Sequence, residues 1–277
     1  MTESASKNQF QNIFGEIQKS KLLVFAFVTY DCDSKRAPPH PPLAPLPMMG
    51  LRLYGHWVSQ PARSVLWLLH MKDKAIGRDF DFHKVEPMKG DTRKSSFTDL
   101  FPTARSPAIH EPDNNDFKLA EGSAILQYLC EKNNWEDWYP SSDLQSRARV
   151  NEYLSSHHTT SRRCTLKVFH PVMMSIMKPE GPAVDYAALE AVSQKEANRF
   201  SSAWLQNGPF VGGFEAPTIA DLFAYTEFAQ IPQMDIFEKY DDDRVEEWLA
   251  RMRELPHHDD VHRSLFKLTA LKRKLGK

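Results

Sequence analysis

The spacing of apolar residues changes part of the way along this chain, and that change limits the fold more than any other feature of the sequence. Between residues 50 and 134, short alternating segments typical of strands are interleaved with segments whose apolar residues recur every three or four positions. After residue 142 every periodic segment has the helical spacing. The pattern predicts an α/β domain at 50–134, a linker at 135–142 and an all-helical domain at 143–277.

The first domain contains its predicted elements in the order strand, helix, strand, loop, strand, strand, helix. The segments Leu51–Tyr54 and Phe80–Val85 alternate as strands. A helix begins at Ser59–Pro61, since proline is tolerated in the first helical turn. A hairpin with its turn at 111–116 then precedes a second helix around Ala124–Leu129. This order is typical of a small α/β domain.

The second domain is predicted to contain five helices. Ser142 and Gln145 have the spacing of a capping box at the start of the first helix, and Thr218 and Asp221 have a capping spacing at the start of the third. The other three helices are expected near residues 187–204, 244–253 and 261–271.

Residues 1–49 precede the first predicted strand and have no periodic pattern. Their longest apolar run, Leu22–Val28, is far shorter than the ~20 residues that span a bilayer. Six prolines at 36–47 exclude a helix or a central strand. We expect a disordered N-terminal extension, and Met48–Met49 offers a start of translation directly before the first strand.

Composition excludes several classes of protein. The 277 residues are 41% hydrophobic and 26% charged, which is typical of a globular chain with room for two domains. The net charge of −1 argues against a nucleic-acid partner, which needs a basic face, and no apolar run predicts a membrane span. The three cysteines (Cys32, Cys130 and Cys164) form no C-x-x-C pair. We therefore expect a reducing, cytoplasmic compartment, no metal, and an inert Cys130 in the core.

Seven short motifs carry a more specific signal through their order and spacing. They are Ser59-Gln60-Pro61-x-Arg63, Ala104–Ile109, Glu121–Leu126, Trp138–Pro140, Ala148–Leu154, His157–Arg163 and Pro217–Leu222. Over about 228 residues this series resembles the theta class of glutathione transferases. The resemblance implies a thioredoxin-like N-terminal domain with a mixed four-stranded sheet, an all-helical C-terminal domain, a homodimer, and glutathione as co-substrate.

The resemblance gives Ser59 the catalytic role. A helix start carries partial positive charge and free N–H donors, so a thiol held there ionises below its free pKa of ~8.5. In the theta class a serine at this place also donates a hydrogen bond to the glutathione sulfur, which favours the thiolate. Residue type alone favours a plain helix cap.

The resemblance also implies which residues hold the peptide part of glutathione. Pro107 is expected to follow a cis peptide bond, so that Ser106 presents its backbone to the cysteinyl part. Glu121 and the backbone N–H of Gly122 are expected at the γ-glutamyl end. The family usually has serine where this chain has Gly122, and the lost hydroxyl is expected to weaken glutathione binding.

Three arginines are candidates for the charged ends of the site. The loop with Thr92 and Arg93 contacts the glycyl carboxylate in the family, which commonly has histidine in place of Thr92. Either Arg93 or Arg105 would supply the cation there. Arg162 would face the thiolate and stabilise its charge. The alternative is a solvated surface position for Arg93 and Arg105 and a surface salt bridge for Arg162. Weak candidates for the walls of an electrophile site are Phe169, Met173 and Met177.

His258 and His262 have the i, i+4 spacing of metal ligands. No third ligand and no H-E-x-x-H motif accompanies them, so we expect surface histidines and no metal.

The expected function is conjugation of glutathione to small hydrophobic electrophiles such as alkyl halides and epoxides, with reduction of organic hydroperoxides, in detoxification. The alternative is a non-catalytic binding or assembly module of the same fold, because a fold does not fix a function. Gly122 favours the module, whereas the hydroxyl of Ser59 favours the enzyme. A zeta-type isomerase is disfavoured because its Ser-Ser-Cys signature is absent.

Overall fold

The computed structural model describes residues 50–178 and 180–276, so the expectation of a disordered segment at 1–49 lies outside the described residues. The first part of the fold is a four-stranded sheet in the order β2-β1-β3-β4. Its strands are β1 (Arg52–Gly55), β2 (Asp81–Lys84), β3 (Ala108–Glu111) and β4 (Phe117–Ala120). β1 pairs parallel with β2 and antiparallel with β3, and β3 and β4 form the predicted hairpin. The sheet is therefore mixed, as expected.

Helices α1 (Gln60–Met71) and α3 (Gly122–Asn133) pack against the sheet and against each other. The predicted loop between the second and third strands contains two 3₁₀ turns and the short helix α2 (Ser95–Thr98). Most of α1 is buried, because its second face packs against the helical part of the chain. The first turn of α1 is thereby held between the sheet and the helices.

The rest of the described chain is helical. It contains α4 (Leu144–His157), a π-helical segment (Cys164–Phe169), α5 (His170–Met177), α6 (Tyr186–Trp204), α7 (Ile219–Phe228), α8 (Gln230–Gln233), α9 (Asp243–Arg253) and α10 (His258–Lys274). The five predicted helices are present as α4, α6, α7, α9 and α10. The helical stretch at 164–177 is not predicted, because a π turn adds residues to the helical repeat and breaks the apolar spacing.

The two predicted capping boxes have different outcomes. The box at the start of α7 is confirmed: Ala220 N–H donates to the Thr218 hydroxyl at 3.2 Å, and Thr218 N–H donates to Asp221 at 2.8 Å. The box at Ser142 is wrong by one residue. The cap of α4 is Asp143, which accepts from the N–H two residues later, while the Ser142 hydroxyl donates to Glu136.

The expectation that His258 and His262 lie on the surface is wrong. Both are buried, their rings stack with centroids 4.5 Å apart, and the Tyr225 hydroxyl lies 2.7 Å from His258 Nε2. Trp67 of α1 and Tyr225 of α7 cover this face of α10. Within residues 50–178 and 180–276, no group of three His, Cys, Asp or Glu side chains is placed to hold a metal ion.

Burial agrees with the expectation for Cys130. Its side chain is 1% exposed, and burial raises the pKa of its thiol to about 12. A thiol with such a pKa is not a nucleophile at neutral pH. In the described part of the chain, no helix combines the length and apolar character that crossing a membrane requires.

Candidate active site

Two cavities meet at the first turn of α1. The first, here called the Ser59 cavity, has a volume of about 280 Å³. Its apolar wall consists of Val58, Met88, Phe169, Met173, Met177 and Leu268. Its polar lining includes His56, Ser59, Lys84, Glu86, Arg162 and Thr165. The three weak candidates for an electrophile wall, from the π-helical segment and α5, thus line the same cavity as Ser59.

The second cavity, here called the Glu121 cavity, has a volume of about 550 Å³. It brings together six of the residues predicted for the site, namely Arg105, Ser106, Pro107, Glu121, Gly122 and Arg162. Arg162 lines both cavities, so a ligand in one lies beside the same guanidinium as a ligand in the other.

Ser59 is half-buried at the N-terminus of α1, with extended backbone angles. Its carbonyl accepts from Arg63 N–H at 2.9 Å, but its side chain makes no capping hydrogen bond. The hydroxyl is therefore available to a ligand in the Ser59 cavity. The plain helix-cap interpretation lacks the hydrogen bond that defines such a cap.

The Ser106–Pro107 peptide bond is cis, as the sequence predicts. It directly precedes β3, and Ser106 and Pro107 both line the Glu121 cavity. The buried Ser106 hydroxyl has no hydrogen-bond partner among the described residues. A peptide-like ligand in this cavity would lie next to the backbone and the side chain of Ser106.

Glu121 and Gly122 lie at the N-terminus of the 12-residue helix α3. Glu121 is exposed and has a positive φ of 77°, and its side chain makes no capping bond to the helix. The first N–H groups of α3 thus receive no side-chain cap, which leaves a site suited to a carboxylate. The free Glu121 carboxylate next to it suits an ammonium group.

Packing explains why glycine occupies position 122. A Cβ atom there would lie 2.8 Å from Pro61 Cβ and 3.0 Å from a ring carbon of Phe223. Pro61 belongs to the first turn of α1 and Phe223 to α7, so both helices close on this backbone. The space that a serine side chain needs is filled, and the neighbouring Ser123 is not among the residues that line the cavity.

Arg162 is held by a buried carboxylate that the sequence analysis does not single out. Its Nη1 atom donates to Glu227 Oε1 at 2.8 Å and to Gln60 Oε1 at 3.2 Å. Glu227 is 0% exposed on α7 and also accepts from the Thr165 hydroxyl. Gln60 follows Ser59 directly, so the network fixes the guanidinium next to the first turn of α1.

The charge of Glu227 is maintained by its neighbours. Burial by itself raises the pKa of a carboxyl group, but Arg162 and His157 outweigh burial and lower the pKa of Glu227 to about 2. His157 Nε2 lies 3.5 Å from the carboxylate. Burial lowers the pKa of Arg63 to about 10, and Glu227 opposes this shift. Glu227 is therefore ionised at neutral pH and fixes the position of Arg162.

Thr92 and Arg93 are not among the residues that line either cavity. Both belong to a 3₁₀ turn, in which Thr92 is buried and Arg93 is exposed. The residues that line the Ser59 cavity from the preceding segment are Lys84, Glu86, Pro87 and Met88. Of the two predicted cations for a glycyl carboxylate, only Arg105 lines a cavity.

Sequence reasoning misses His56, Lys84, Glu227 and Gln230. Glu227 leaves a trace in the sequence, since a carboxylate within the apolar run 222–228 is buried on any helical arrangement. The Gln230 amide donates to Thr165 at 2.8 Å, but a glutamine near a helix end carries no such signal. His56 and Lys84 belong to loop and strand positions that no periodicity distinguishes.

Comparison with known proteins agrees with this geometry. The family described as the glutathione S-transferase N-terminal domain matches residues 49–131. Human glutathione S-transferase theta-1 is 37% identical over 186 residues, covering 65% of this chain and 72% of the relative. Glutathione S-transferase T1 of Arabidopsis thaliana is 30% identical over 240 residues, covering 80% and 91%.

Solved structures give the same grouping. Human glutathione-S-transferase T1-1 in its apo form superposes with a TM-score of 0.66 at 30% identity, covering 82% of this chain and 97% of that one. Human glutathione transferase theta-2 in complex with glutathione and an unknown ligand gives 0.65 at 27% identity, covering 82% and 91%.

Proposed function

The chain belongs to the glutathione S-transferase family, and from that premise we propose that it is a theta-class-like transferase that ionises glutathione and conjugates it to small hydrophobic electrophiles. The observation that carries the proposal is the uncapped hydroxyl of Ser59 at the junction of the two cavities. A sulfur atom placed there receives a hydroxyl donor, the positive end of α1 and the field of Arg162.

Glutathione occupies the Glu121 cavity in this proposal. Its γ-glutamyl ammonium group binds Glu121, and its γ-glutamyl carboxylate binds the N–H of Gly122. Its cysteinyl part pairs with the Ser106 backbone beside Pro107. Arg105 binds the glycyl carboxylate, a role for which Thr92 and Arg93 are less well placed. The complex of the theta-2 relative with glutathione supports glutathione as the co-substrate.

The electrophile occupies the Ser59 cavity. The wall of Phe169, Met173 and Met177 offers a flexible apolar surface, since methionine adapts to ligands of different shape. The thiolate sulfur forms a bond to carbon as the halide or epoxide oxygen leaves. Arg162 stabilises the charge on the sulfur and on the leaving group. The thiolate and the electrophile are held next to each other where the two cavities meet, and this proximity raises the rate.

The domain limits 50–134, 135–142 and 143–277 are part of the proposal, as are a homodimer, a cytoplasmic location and a role in detoxification. No metal takes part in the proposed reaction, since a thiolate attacks these electrophiles directly.

Two measurements test the function. Retention on immobilised glutathione, with elution by free glutathione, tests binding. Purified protein is then assayed against an alkyl halide, an epoxide and an organic hydroperoxide. Glutathione-dependent turnover of at least one of these supports the enzyme. Retention without any turnover moves the chain to the non-catalytic binding module.

A further inference from the structure

His56 lines the Ser59 cavity. The proposed conjugation reaction gives its side chain no role. His56 follows β1 directly, and its carbonyl accepts from Ser59 N–H at 2.9 Å. This hydrogen bond ties the backbone of His56 to that of the residue that would hold the sulfur. The imidazole is half-buried and lines the cavity together with Ser59 and Arg162.

The hydrogen bonding of the ring fixes which nitrogen carries the proton. Val58 N–H donates to His56 Nδ1 at 3.3 Å, so Nδ1 is an acceptor. In a neutral imidazole the other nitrogen is then the donor. The described residues provide no acceptor for Nε2–H, and this nitrogen is not fully buried, so the donor is available to a ligand.

The surroundings of the ring keep it neutral. Burial, together with the cations of Lys84 and Lys89, lowers the pKa of His56 to about 4, although Glu86 opposes the shift. Lys84 and Lys89 both bind the Glu86 carboxylate at 2.6 Å. At neutral pH His56 is therefore a hydrogen-bond donor without a charge.

We propose that His56 is a catalytic residue for oxygen-bearing electrophiles, specifically organic hydroperoxides, and that its Nε2–H donates a hydrogen bond to the oxygen that leaves as the O–O bond breaks. The inference rests on the proposed glutathione transferase function. The apolar wall of the cavity holds the organic group, and His56 and Arg162 face the oxygen atoms.

His56 remains neutral and keeps its proton throughout the proposed reaction. The glutathione thiolate attacks the terminal oxygen, an S–O bond forms, the O–O bond breaks, and sulfur is oxidised to a sulfenic acid. The leaving alkoxide takes its proton from water. A second glutathione then condenses with the sulfenic acid to give the disulfide and water. His56 stabilises the developing alkoxide, as oxyanion donors do.

The test compares two electrophiles in three proteins. Wild type, His56→Phe and His56→Gln are assayed with cumene hydroperoxide and with an alkyl iodide, whose leaving iodide is a poor hydrogen-bond acceptor. The ratio of kcat/KM for the hydroperoxide to kcat/KM for the iodide is expected to fall roughly 10- to 100-fold in His56→Phe. His56→Gln restores most of the ratio, because its amide reaches about as far as Nε2 and also donates.

An unchanged ratio in His56→Phe overturns the inference, and so does a wild type that uses the iodide and not the hydroperoxide. Both outcomes leave the transferase function standing. A wild type inactive with both of these electrophiles and with an epoxide defeats the proposed function instead. In that case nitrogen-15 NMR of the His56 imidazole tests whether Nε2–H donates to an oxygen-bearing ligand. The product alcohol 2-phenyl-2-propanol is expected to shift the Nε2 resonance while isopropylbenzene leaves it in place, and equal responses to the two compounds overturn the inference.

Discussion

The Glu121 cavity and the Ser59 cavity share Arg162 but are built in different ways. In the Glu121 cavity two of the four proposed contacts to glutathione come from backbone groups, at the cis bond before β3 and at the start of α3. The Ser59 cavity is lined by residues from four separate stretches of chain. A contact made by a backbone group is retained when the side chain changes, as the N–H of Gly122 illustrates, whereas a side-chain site varies with every substitution. This difference separates the part of the site that binds a constant co-substrate from the part that selects the electrophile.

The largest expected effect comes from breaking the link between the two cavities. Glu227→Gln removes the charge that pairs with the partly buried Arg162 and that offsets the charge of the buried Arg63. We expect a loss of about 3–5 kcal/mol in the free energy of unfolding, measured by urea denaturation. Glu152→Gln is the matched control, because its ion pair with Arg149 is half exposed and is worth little.

The pH dependence of the folding stability tests the role of Glu227 independently. The pKa of Glu227 is lowered in the folded state, so its contribution is fully present above its unfolded value of 4.5. This contribution is lost as the pH falls towards 2. Wild type should therefore lose more stability than Glu227→Gln between these limits. Equal losses in the two proteins would show that Glu227 is not the titrating group.

A substitution at Gly122 tests whether glutathione binding in the Glu121 cavity depends on backbone groups. Gly122→Ser introduces a Cβ atom 2.8 Å from Pro61 Cβ, and we expect it to cost about 1–3 kcal/mol of stability through overpacking. Glutathione binding should not improve, although the family's usual hydroxyl is restored. Adding Phe223→Leu should recover part of the stability in a double-mutant cycle. Tighter binding by the single variant without loss of stability would contradict this explanation.

The two candidate cations for the glycyl carboxylate form a matched pair. Both Arg93 and Arg105 are exposed, but only Arg105 lines a cavity. Arg105→Ala should raise the Kd for glutathione roughly 5-fold, the modest effect of a solvent-exposed ionic hydrogen bond. Arg93→Ala should leave it unchanged. Calorimetric titration of both variants decides, and the reverse order would return the role to the loop at 91–93.

The sequence predicts the elements whose apolar spacing is regular, which include all four strands and the long helices. It fails at 164–177, where the π-helical segment disrupts that spacing, and by one residue at Asp143, where two polar neighbours compete to cap α4. It also places His258 and His262 on the surface, because nothing local reveals that Trp67 and Tyr225 cover them.

The residues of the site also divide into those that the sequence predicts and those that it does not. The residues that belong to the seven motifs, such as Pro107 and Glu121, are predicted from their order along the chain. Glu227 contacts Arg162, which is distant in sequence, and His56 lines a cavity that forms only on folding. No spacing rule connects positions 56, 162 and 227, so only the three-dimensional structure brings them together.

The most direct test of the account is the pKa of the glutathione thiol in the complex, read from thiolate absorbance during a pH titration. Wild type should hold this pKa well below the free value of ~8.5. Ser59→Ala should raise it and should cost about 2–4 kcal/mol in the barrier with an alkyl halide, which is roughly two to three orders of magnitude in rate. Ser95→Ala, at an exposed position at the start of α2, is the control and should change neither. If Ser59→Ala instead lowers stability by about 1 kcal/mol, as loss of a helix cap does, and leaves the thiol pKa and the rate unchanged, Ser59 is not the catalytic residue.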